Sequence, residues 1–124
     1  MQSSRRKILI VDDDPMHLDI YSLLIRQAGY EPMQALVKFK GAQLPQADGI
    51  ALVLLDYRLN SIKTSPEYAQ EIRRLYPGIP IVVLSDLWTL PADIAPFVTG
   101  FVRKGEPAKL LETISRLVSD STDG

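Results

Sequence analysis

The stretch Lys7-Ile-Leu-Ile-Val-Asp-Asp-Asp-Pro15 decides the fold of this chain. Its apolar run, Ile8 to Val11, is bounded by polar residues, which is typical of a strand buried on both faces of a parallel sheet. Three carboxylates follow at once. Neighbouring carboxylates repel each other, so they raise the free energy of the folded state unless a cation or a basic side chain neutralises them. The stretch therefore predicts a buried strand that ends where positive charge is needed.

Length and composition restrict the class of protein. The chain has 124 residues and a formal net charge of −1, as expected for one soluble domain without a basic field for nucleic acid. It has no cysteine, which excludes disulfides and thiolate metal sites and agrees with a reducing compartment. No apolar run approaches the roughly 20 residues that span a bilayer, and we see no signal peptide. We expect a cytoplasmic domain at 7–119, with a flexible lead-in at 1–6 and a disordered tail at 120–124.

Apolar runs elsewhere predict further strands. Ile50–Leu55 and Ile79–Leu84 resemble the first run, whereas Gly100–Arg103 is short and Glu31–Val37 is weaker. Pro32 favours an edge position for that weaker strand. Helical stripes alternate with these five strands, which predicts βαβ units and a doubly wound α/β domain with a five-stranded parallel sheet.

Helix boundaries follow from capping signals. Asp14-Pro15 and Ser65-Pro66 each read as an N-cap followed by a proline at the first helical position, and Glu106-Pro107 starts the last helix. The region Phe39–Asp48 is ambiguous, although a short helix lined by Ala42, Leu44 and Ala47 is one interpretation. Two prolines within Leu87–Thr99 predict that the fourth helix of the fold is short or distorted.

Polar side chains stand at the ends of the predicted strands, where parallel sheets collect functional groups. They are three carboxylates, a hydroxyl and an ammonium group: Asp12, Asp13, Asp56, Ser85 and Lys104. Carboxylates with water form an oxygen-only site suited to Mg²⁺. An aspartate near such an ion and a lysine can attack a phosphoryl group, and a serine can donate a hydrogen bond to the product. The pattern predicts reversible acyl-phosphate formation on Asp56.

Four segments together resemble the receiver domains of two-component response regulators, the family of the chemotaxis regulators. They are Ile8–Pro15, Leu52–Leu59, Ile81–Ser85 and Gly100–Lys104, and the match extends from residue 7 to about residue 118. The resemblance implies a flavodoxin-like fold with strand order 2-1-3-4-5.

The resemblance also implies roles for single residues. Asp56 matches the phosphoacceptor, and Asp12 and Asp13 match the acidic pair that binds Mg²⁺ or Mn²⁺. Arg58 occupies the position whose backbone carbonyl completes the metal site.

Three further positions match the family's switch. Ser85 matches the hydroxyl that moves toward the phosphoryl group, and Lys104 matches the lysine that pairs with it. Phe101 matches an aromatic residue that turns inward when the hydroxyl moves, so a local charge change would become a new surface.

The family implies partners as well. A histidine kinase or histidine phosphotransfer protein would donate the phosphoryl group, and a downstream effector or linked output domain would read the switch. We expect self-catalysed phosphorylation and dephosphorylation in a signalling domain rather than an enzyme, as a monomer or a phosphorylation-dependent homodimer, without direct nucleic-acid or membrane binding. The sequence leaves open the cognate kinase, the pathway and whether this is a stand-alone regulator.

The sequence leaves open functions other than that of a phosphorylated receiver domain. Asp86 and the loop 60–64 depart from the family's usual residues, which keeps open a pseudo-receiver that signals through protein interaction without phosphorylation. A flavodoxin-like cofactor protein or a metal-dependent phosphatase ranks lower, because the acidic triplet would repel a phosphate unless a metal intervenes. His17 lies beside the apolar stripe of its helix and is interpreted as a surface residue rather than a phosphodonor.

Overall fold

The computed structural model describes residues 5–46 and 48–121, with side chains as far as residue 119. Five parallel strands form one sheet in the order 2-1-3-4-5, which confirms the predicted fold class. The strands are β1 (Lys7–Asp12), β2 (Glu31–Leu36), β3 (Ile50–Asp56), β4 (Ile81–Ser85) and β5 (Gly100–Arg103). The helices are α1 (Pro15–Gln27), α2 (Ser65–Leu75) and α3 (Pro107–Ser121), with a 3₁₀ helix at Ala95–Phe97.

The sheet separates two apolar clusters, which explains the uninterrupted apolar runs in its central strands. Ile8 and Ile10 belong to the cluster that includes residues of α1 and α3, whereas Leu9 and Val11 belong to the cluster that includes residues of α2. Every residue of β3 is buried. Burying one such side chain contributes about 1.5–3 kcal/mol, so these strands hold the sheet rigid beneath its carboxyl edge.

The start of α1 agrees with the sequence signal, and a glycine follows its end. The Asp14 carboxylate accepts a hydrogen bond from the backbone N–H of Met16 at 2.9 Å, and Pro15 occupies the first helical position. Gly29 follows the helix with a φ of 97°, a left-handed conformation that glycine adopts without strain. The helix is therefore fixed in direction where it leaves the acidic triplet.

The start of α2 lies one residue earlier than predicted, because Thr64 rather than Ser65 is the N-cap. The Thr64 hydroxyl accepts a hydrogen bond from the backbone N–H of Glu67, and the Glu67 carboxylate accepts one from the backbone N–H of Thr64. This reciprocal capping box depends on glutamate three residues after the cap. Ser65 thus becomes a buried residue of the first turn.

Two connections depart from regular helical structure. The predicted short helix within 39–48 is wrong for the described residues, which contain only an isolated bridge between Lys38 and Gly41. Gly41 and Pro45 account for the difference, because both disfavour a helix interior, and the Pro45 carbonyl accepts a hydrogen bond from the Tyr76 hydroxyl. Ala47 lies outside the described residues.

The connection 86–99 contains the 3₁₀ helix and no α-helix, so the shortening predicted for the fourth helix is complete. At the chain ends, α3 continues through Ser121, while residues 1–4 of the expected lead-in and 122–124 of the expected tail lie outside the described residues. Within the part of the chain that the structure describes, no helix is long and apolar enough to cross a membrane.

Candidate functional site

The candidate site lies at the carboxyl edge of β1, β3, β4 and β5. Asp12, Asp56 and Ser85 are the last residues of their strands, and Lys104 directly follows β5. The sheet's hydrogen bonding extends to this edge: the backbone N–H of Lys104 donates to the Ser85 carbonyl at 2.8 Å. Parallel strands in this order bring the ends together, so the four groups predicted from separate segments become neighbours.

Lys104 and Asp56 form the central ion pair. Nζ of Lys104 lies 2.8 Å from Oδ1 of Asp56, whose side chain is 2% exposed. Burial lowers the pKa of Lys104, but the hydrogen bond to Asp56 and the charges of Asp56 and Asp12 outweigh it and raise the pKa above its ordinary value. The lysine therefore stays charged and orients the Asp56 carboxylate.

Asp12 is fully buried next to this pair. Its Oδ1 accepts a hydrogen bond from the backbone N–H of Asp14 at 3.0 Å, whereas its Oδ2 is buried without a hydrogen-bond partner. Burial and the nearby charge of Asp56 raise the pKa of Asp12 to about 7. A buried carboxylate oxygen without a donor, beside a second carboxylate, is an arrangement that a bound cation would satisfy.

Asp13 has a different environment. Its Oδ2 accepts a hydrogen bond from the backbone N–H of Asn60 at 2.8 Å, which ties the end of β1 to the loop after β3. The described side chains whose possible ligand atoms cluster here are Asp12, His17 and Asp56, with the atoms within 4.8 Å of one another. The structure thus groups Asp12 with Asp56 and directs Asp13 to the loop; a ligand role for Asp13 stays a prediction.

His17 is the residue that the sequence interpretation missed. It is only 40% exposed, and its Nδ1 lies 3.4 Å from Oδ2 of Asp12. Its other ring nitrogen, Nε2, lies 3.5 Å from Oδ2 of Asp14. The ring is thus partly exposed at the surface, in line with the sequence interpretation, and it also lies beside two carboxylates of the site. Its position in the first turn of α1, three residues after the N-cap, was the available signal, because residues three apart lie on one helix face.

Asp86 forms an exposed ion pair with Arg58. Its Oδ1 accepts a hydrogen bond from Nε of Arg58 at 3.0 Å, and both side chains are exposed. The hydrogen bond from Arg58 is the largest contribution that lowers the pKa of Asp86. The extra carboxylate that departs from the family pattern is consequently paired with a guanidinium group. The structure gives no contact for the Arg58 carbonyl, so its ligand role also stays a prediction.

The unusual loop 60–64 is held by hydrogen bonds from its backbone and from one of its side chains. The backbone N–H of Ile62 donates to the Phe39 carbonyl at 2.8 Å, and the Ser61 hydroxyl contacts the same carbonyl at 3.3 Å. Together with the bond from Asn60 to Asp13, these contacts place the loop over the carboxyl edge. The loop therefore has a defined path despite lacking the family's usual residues.

The predicted switch residues occupy the expected strands. Ser85 is buried, and its hydroxyl oxygen accepts a hydrogen bond from the backbone N–H of Leu87 at 3.1 Å. Phe101 is partly buried against the apolar cluster that contains Val83. A switch would have to replace the hydrogen bond of Ser85 and the apolar contacts of Phe101. The switch itself stays a prediction.

Comparisons with known proteins bear on the family and the fold of the chain. Residues 8–114 match the family model described as the response regulator receiver domain. The chain is 28% identical over 93 residues to the transcriptional regulatory protein GlrR of Escherichia coli K12, covering 75% of this chain and 21% of that protein. It is 32% identical over 96 residues to the DNA-binding dual master transcriptional regulator RpaA of Synechocystis, covering 76% of this chain and 39% of that protein. The chain thus spans well under half of either relative.

Solved structures show the same fold. A CheY-like response regulator receiver domain protein from Methanospirillum hungatei superposes with a TM-score of 0.79 at 23% identity, covering 98% of this chain and all of that one. NtrX from Brucella abortus, solved in complex with ATP, gives a TM-score of 0.76 at 22% identity, covering 95% of this chain and 28% of that one.

Proposed function

Since the chain belongs to the response regulator receiver domains, we propose that Asp56 accepts a phosphoryl group and that the acyl phosphate switches a partner-binding surface. The observation that supports this most directly is the buried Asp56 carboxylate, held at 2.8 Å by Lys104 beside the unsatisfied Asp12 oxygen. A carboxylate buried at a sheet edge, with a charged lysine and a second carboxylate around it, is suited to covalent phosphoryl chemistry.

The proposed step conserves atoms and charge. An oxygen of Asp56 attacks phosphorus of a phosphohistidine, a new P–O bond forms, and the P–N bond breaks with its electron pair remaining on the imidazole. Lys104 orients the attacking carboxylate before transfer and pairs with the phosphoryl oxygens after it. Ser85 and Phe101 are the proposed switch: Ser85 ends β4 at the site, and Phe101 lies on the neighbouring strand β5 at the position that the family resemblance implies.

The residues present fit a divalent cation. Asp12 and Asp56 supply carboxylate oxygens, and the buried Oδ2 of Asp12 has no donor of its own. Asp13 and the Arg58 carbonyl are the further ligands that the family resemblance implies. Mg²⁺, or Mn²⁺, would neutralise the charge on the phosphoryl oxygens when bound.

The proposed partners follow from this chemistry and from the relatives. A histidine kinase or phosphotransfer protein would donate the phosphoryl group, and an apolar groove beside Lys104, lined by Ile20, Leu24 and Leu110 among others, offers it a contact surface. Because GlrR and RpaA are longer transcriptional regulators, a linked output domain is one proposed reader of the switch. We keep the cytoplasm as the expected compartment.

Labelling with radioactive acetyl phosphate tests the proposal. Wild-type protein should incorporate one phosphoryl group in the presence of Mg²⁺ and lose labelling when EDTA removes the metal, because Asp56 and the cation act together. Asp56→Asn should abolish the label. The matched control is Asp48→Asn, which alters an exposed aspartate at the opposite edge of the sheet and should label normally.

Two outcomes would contradict the proposal. Undiminished labelling of Asp56→Asn would place the phosphoryl group elsewhere. A folded wild-type protein that takes no label at saturating Mg²⁺ would instead favour the phosphorylation-independent pseudo-receiver.

A further inference from the structure

His17 faces the proposed phosphorylation site from the first turn of α1. Its Nδ1 and Oδ2 of Asp12 lie 3.4 Å apart. Both atoms are buried, yet neither makes a hydrogen bond within the described part of the chain. Buried polar atoms without partners are uncommon in folded proteins, and each costs free energy. Two such atoms that face each other therefore indicate that a third group belongs between them.

A direct hydrogen bond between the two does not explain the arrangement. The separation exceeds the usual range for N–H···O bonds, about 2.7–3.2 Å, and the contact is an ion-pair distance without hydrogen-bond geometry. Oδ2 of Asp14, on the other side of the ring, is no closer, at 3.5 Å. The imidazole thus stands among carboxylates without a close hydrogen bond to either of them.

The positions of the three groups suit a metal ion. One ligand atom each from Asp12, His17 and Asp56 lies within 4.8 Å of the others. Metal–nitrogen and metal–oxygen bonds to transition ions are about 2.0–2.2 Å long, so small side-chain rotations would bring all three atoms onto one ion. Asp12 and Asp56 are fixed by burial, whereas the side chain of His17 is 40% exposed and therefore less confined.

We propose that His17 is a third protein ligand of this site, which then selects a divalent transition ion of the Zn²⁺ or Co²⁺ type over Mg²⁺. Two carboxylates alone favour a hard ion, while an added imidazole nitrogen favours the later first-row metals. The inference takes the location of the cation site from the proposed function, but it requires no phosphoryl transfer.

The composition makes the proposal easy to test. The chain has one histidine and no cysteine, so without an affinity tag every imidazole–metal signal reports on His17. Calorimetric titrations of tag-free protein with Co²⁺ and, separately, with Mg²⁺ would compare wild type with His17→Gln. We expect Co²⁺ affinity to fall about tenfold or more in the variant, because even partners outside the ligand shell are worth that much. Mg²⁺ affinity should change far less.

Met16→Gln is the matched control. Met16 precedes His17 in the same helical turn and is 67% exposed, so its replacement should leave both affinities unchanged. Thermal unfolding of each variant shows whether it is folded at the titration temperature. If His17→Gln is not folded, the imidazole NMR spectrum of wild-type protein decides the question, because Zn²⁺ should shift the ring nitrogen signals of His17 on binding.

The outcomes separate this inference from the proposed function. Equal Co²⁺ affinity in wild type and folded His17→Gln, or imidazole signals that Zn²⁺ leaves unmoved, would overturn the ligand role of His17 even if acetyl phosphate labels Asp56. Metal-dependent shifts of the imidazole signals in a protein that takes no label would support the ligand role of His17. They would contradict only the proposed phosphoryl transfer.

Discussion

At the scale of a single residue, the buried charge of Asp12 is an electrostatic source of instability in the site. Without a cation its charge is buried beside that of Asp56, and its pKa is raised to about 7. Asp12→Asn removes the charge while its side-chain oxygen can still accept the hydrogen bond from Asp14. We predict that the variant is more stable than wild type by about 2 kcal/mol in metal-free buffer above neutral pH. Urea unfolding with EDTA present would measure the difference.

The sign of the pH dependence follows from the raised pKa. The folded state holds the Asp12 proton up to about pH 7, whereas the unfolded chain releases it near the ordinary value of 3.8. Folded protein therefore binds more protons across that interval, and the Asp12 contribution to stability falls as pH rises through it. The advantage of Asp12→Asn should be small at about pH 5 and large at about pH 8. An equal advantage at both values, or one shared by Asp48→Asn, would contradict this account.

The sequence predicted those site residues whose positions the backbone determines. Asp56, Ser85 and Lys104 stand at strand ends, so the sheet brings them together whatever their side-chain rotamers. His17 and Asp13 depend on side-chain direction and on distant partners: one ring turns toward Asp12, and one carboxylate meets a loop amide 47 residues away. Helical spacing places His17 on the face of Asp14, but no local pattern contains the turn of the ring toward Asp12 or the distant partner of Asp13.

At the scale of an element, the start of α2 depends on its capping box. Thr64→Ala removes the acceptor for the backbone N–H of Glu67, so this N–H in the first turn of the helix loses its hydrogen bond. We predict a loss of about 1 kcal/mol in the free energy of unfolding. Chemical denaturation would measure it, with Thr89→Ala, an exposed threonine in the 86–99 connection, as the control. A loss of similar size in both variants would argue against the cap.

Elements with a strong periodic or apolar pattern were predictable, and those determined by long-range contacts were not. The runs in β1, β3 and β4 are buried on both faces and therefore uniformly apolar. The described residues between β2 and β3 lack any period. Their path is instead set by contacts such as the hydrogen bond from Tyr76 to the Pro45 carbonyl, which joins positions 31 residues apart. A sequence pattern indicates the local preference for helix or strand, but it does not predict such long-range contacts.

At the scale of the molecule, the fold separates the stability of the core from the chemistry of the sheet edge. The alternation of strands and helices predicted the parallel sheet. The strand order 2-1-3-4-5 came from the family resemblance, because periodicity does not show which strands are neighbours in the sheet. The proline positions predicted a short or distorted fourth helix, and the connection 86–99 contains only the 3₁₀ helix. With the site built on strand ends, the buried side chains in the middle of α2 contribute to packing and not to the site.

Ile72 tests that separation. It is fully buried in α2 within the apolar cluster below the sheet, more than one helical turn from the capped end of α2. Ile72→Ala leaves a cavity and should lower the free energy of unfolding by about 2–5 kcal/mol. Leu75→Ala, three residues further along the same helix and 40% exposed, should cost much less. Provided that Ile72→Ala stays folded at the assay temperature, its labelling by acetyl phosphate should match wild type, since Asp56 and Lys104 keep their strand-end positions. A folded Ile72→Ala protein that fails to label would show that the core and the site are coupled through α2.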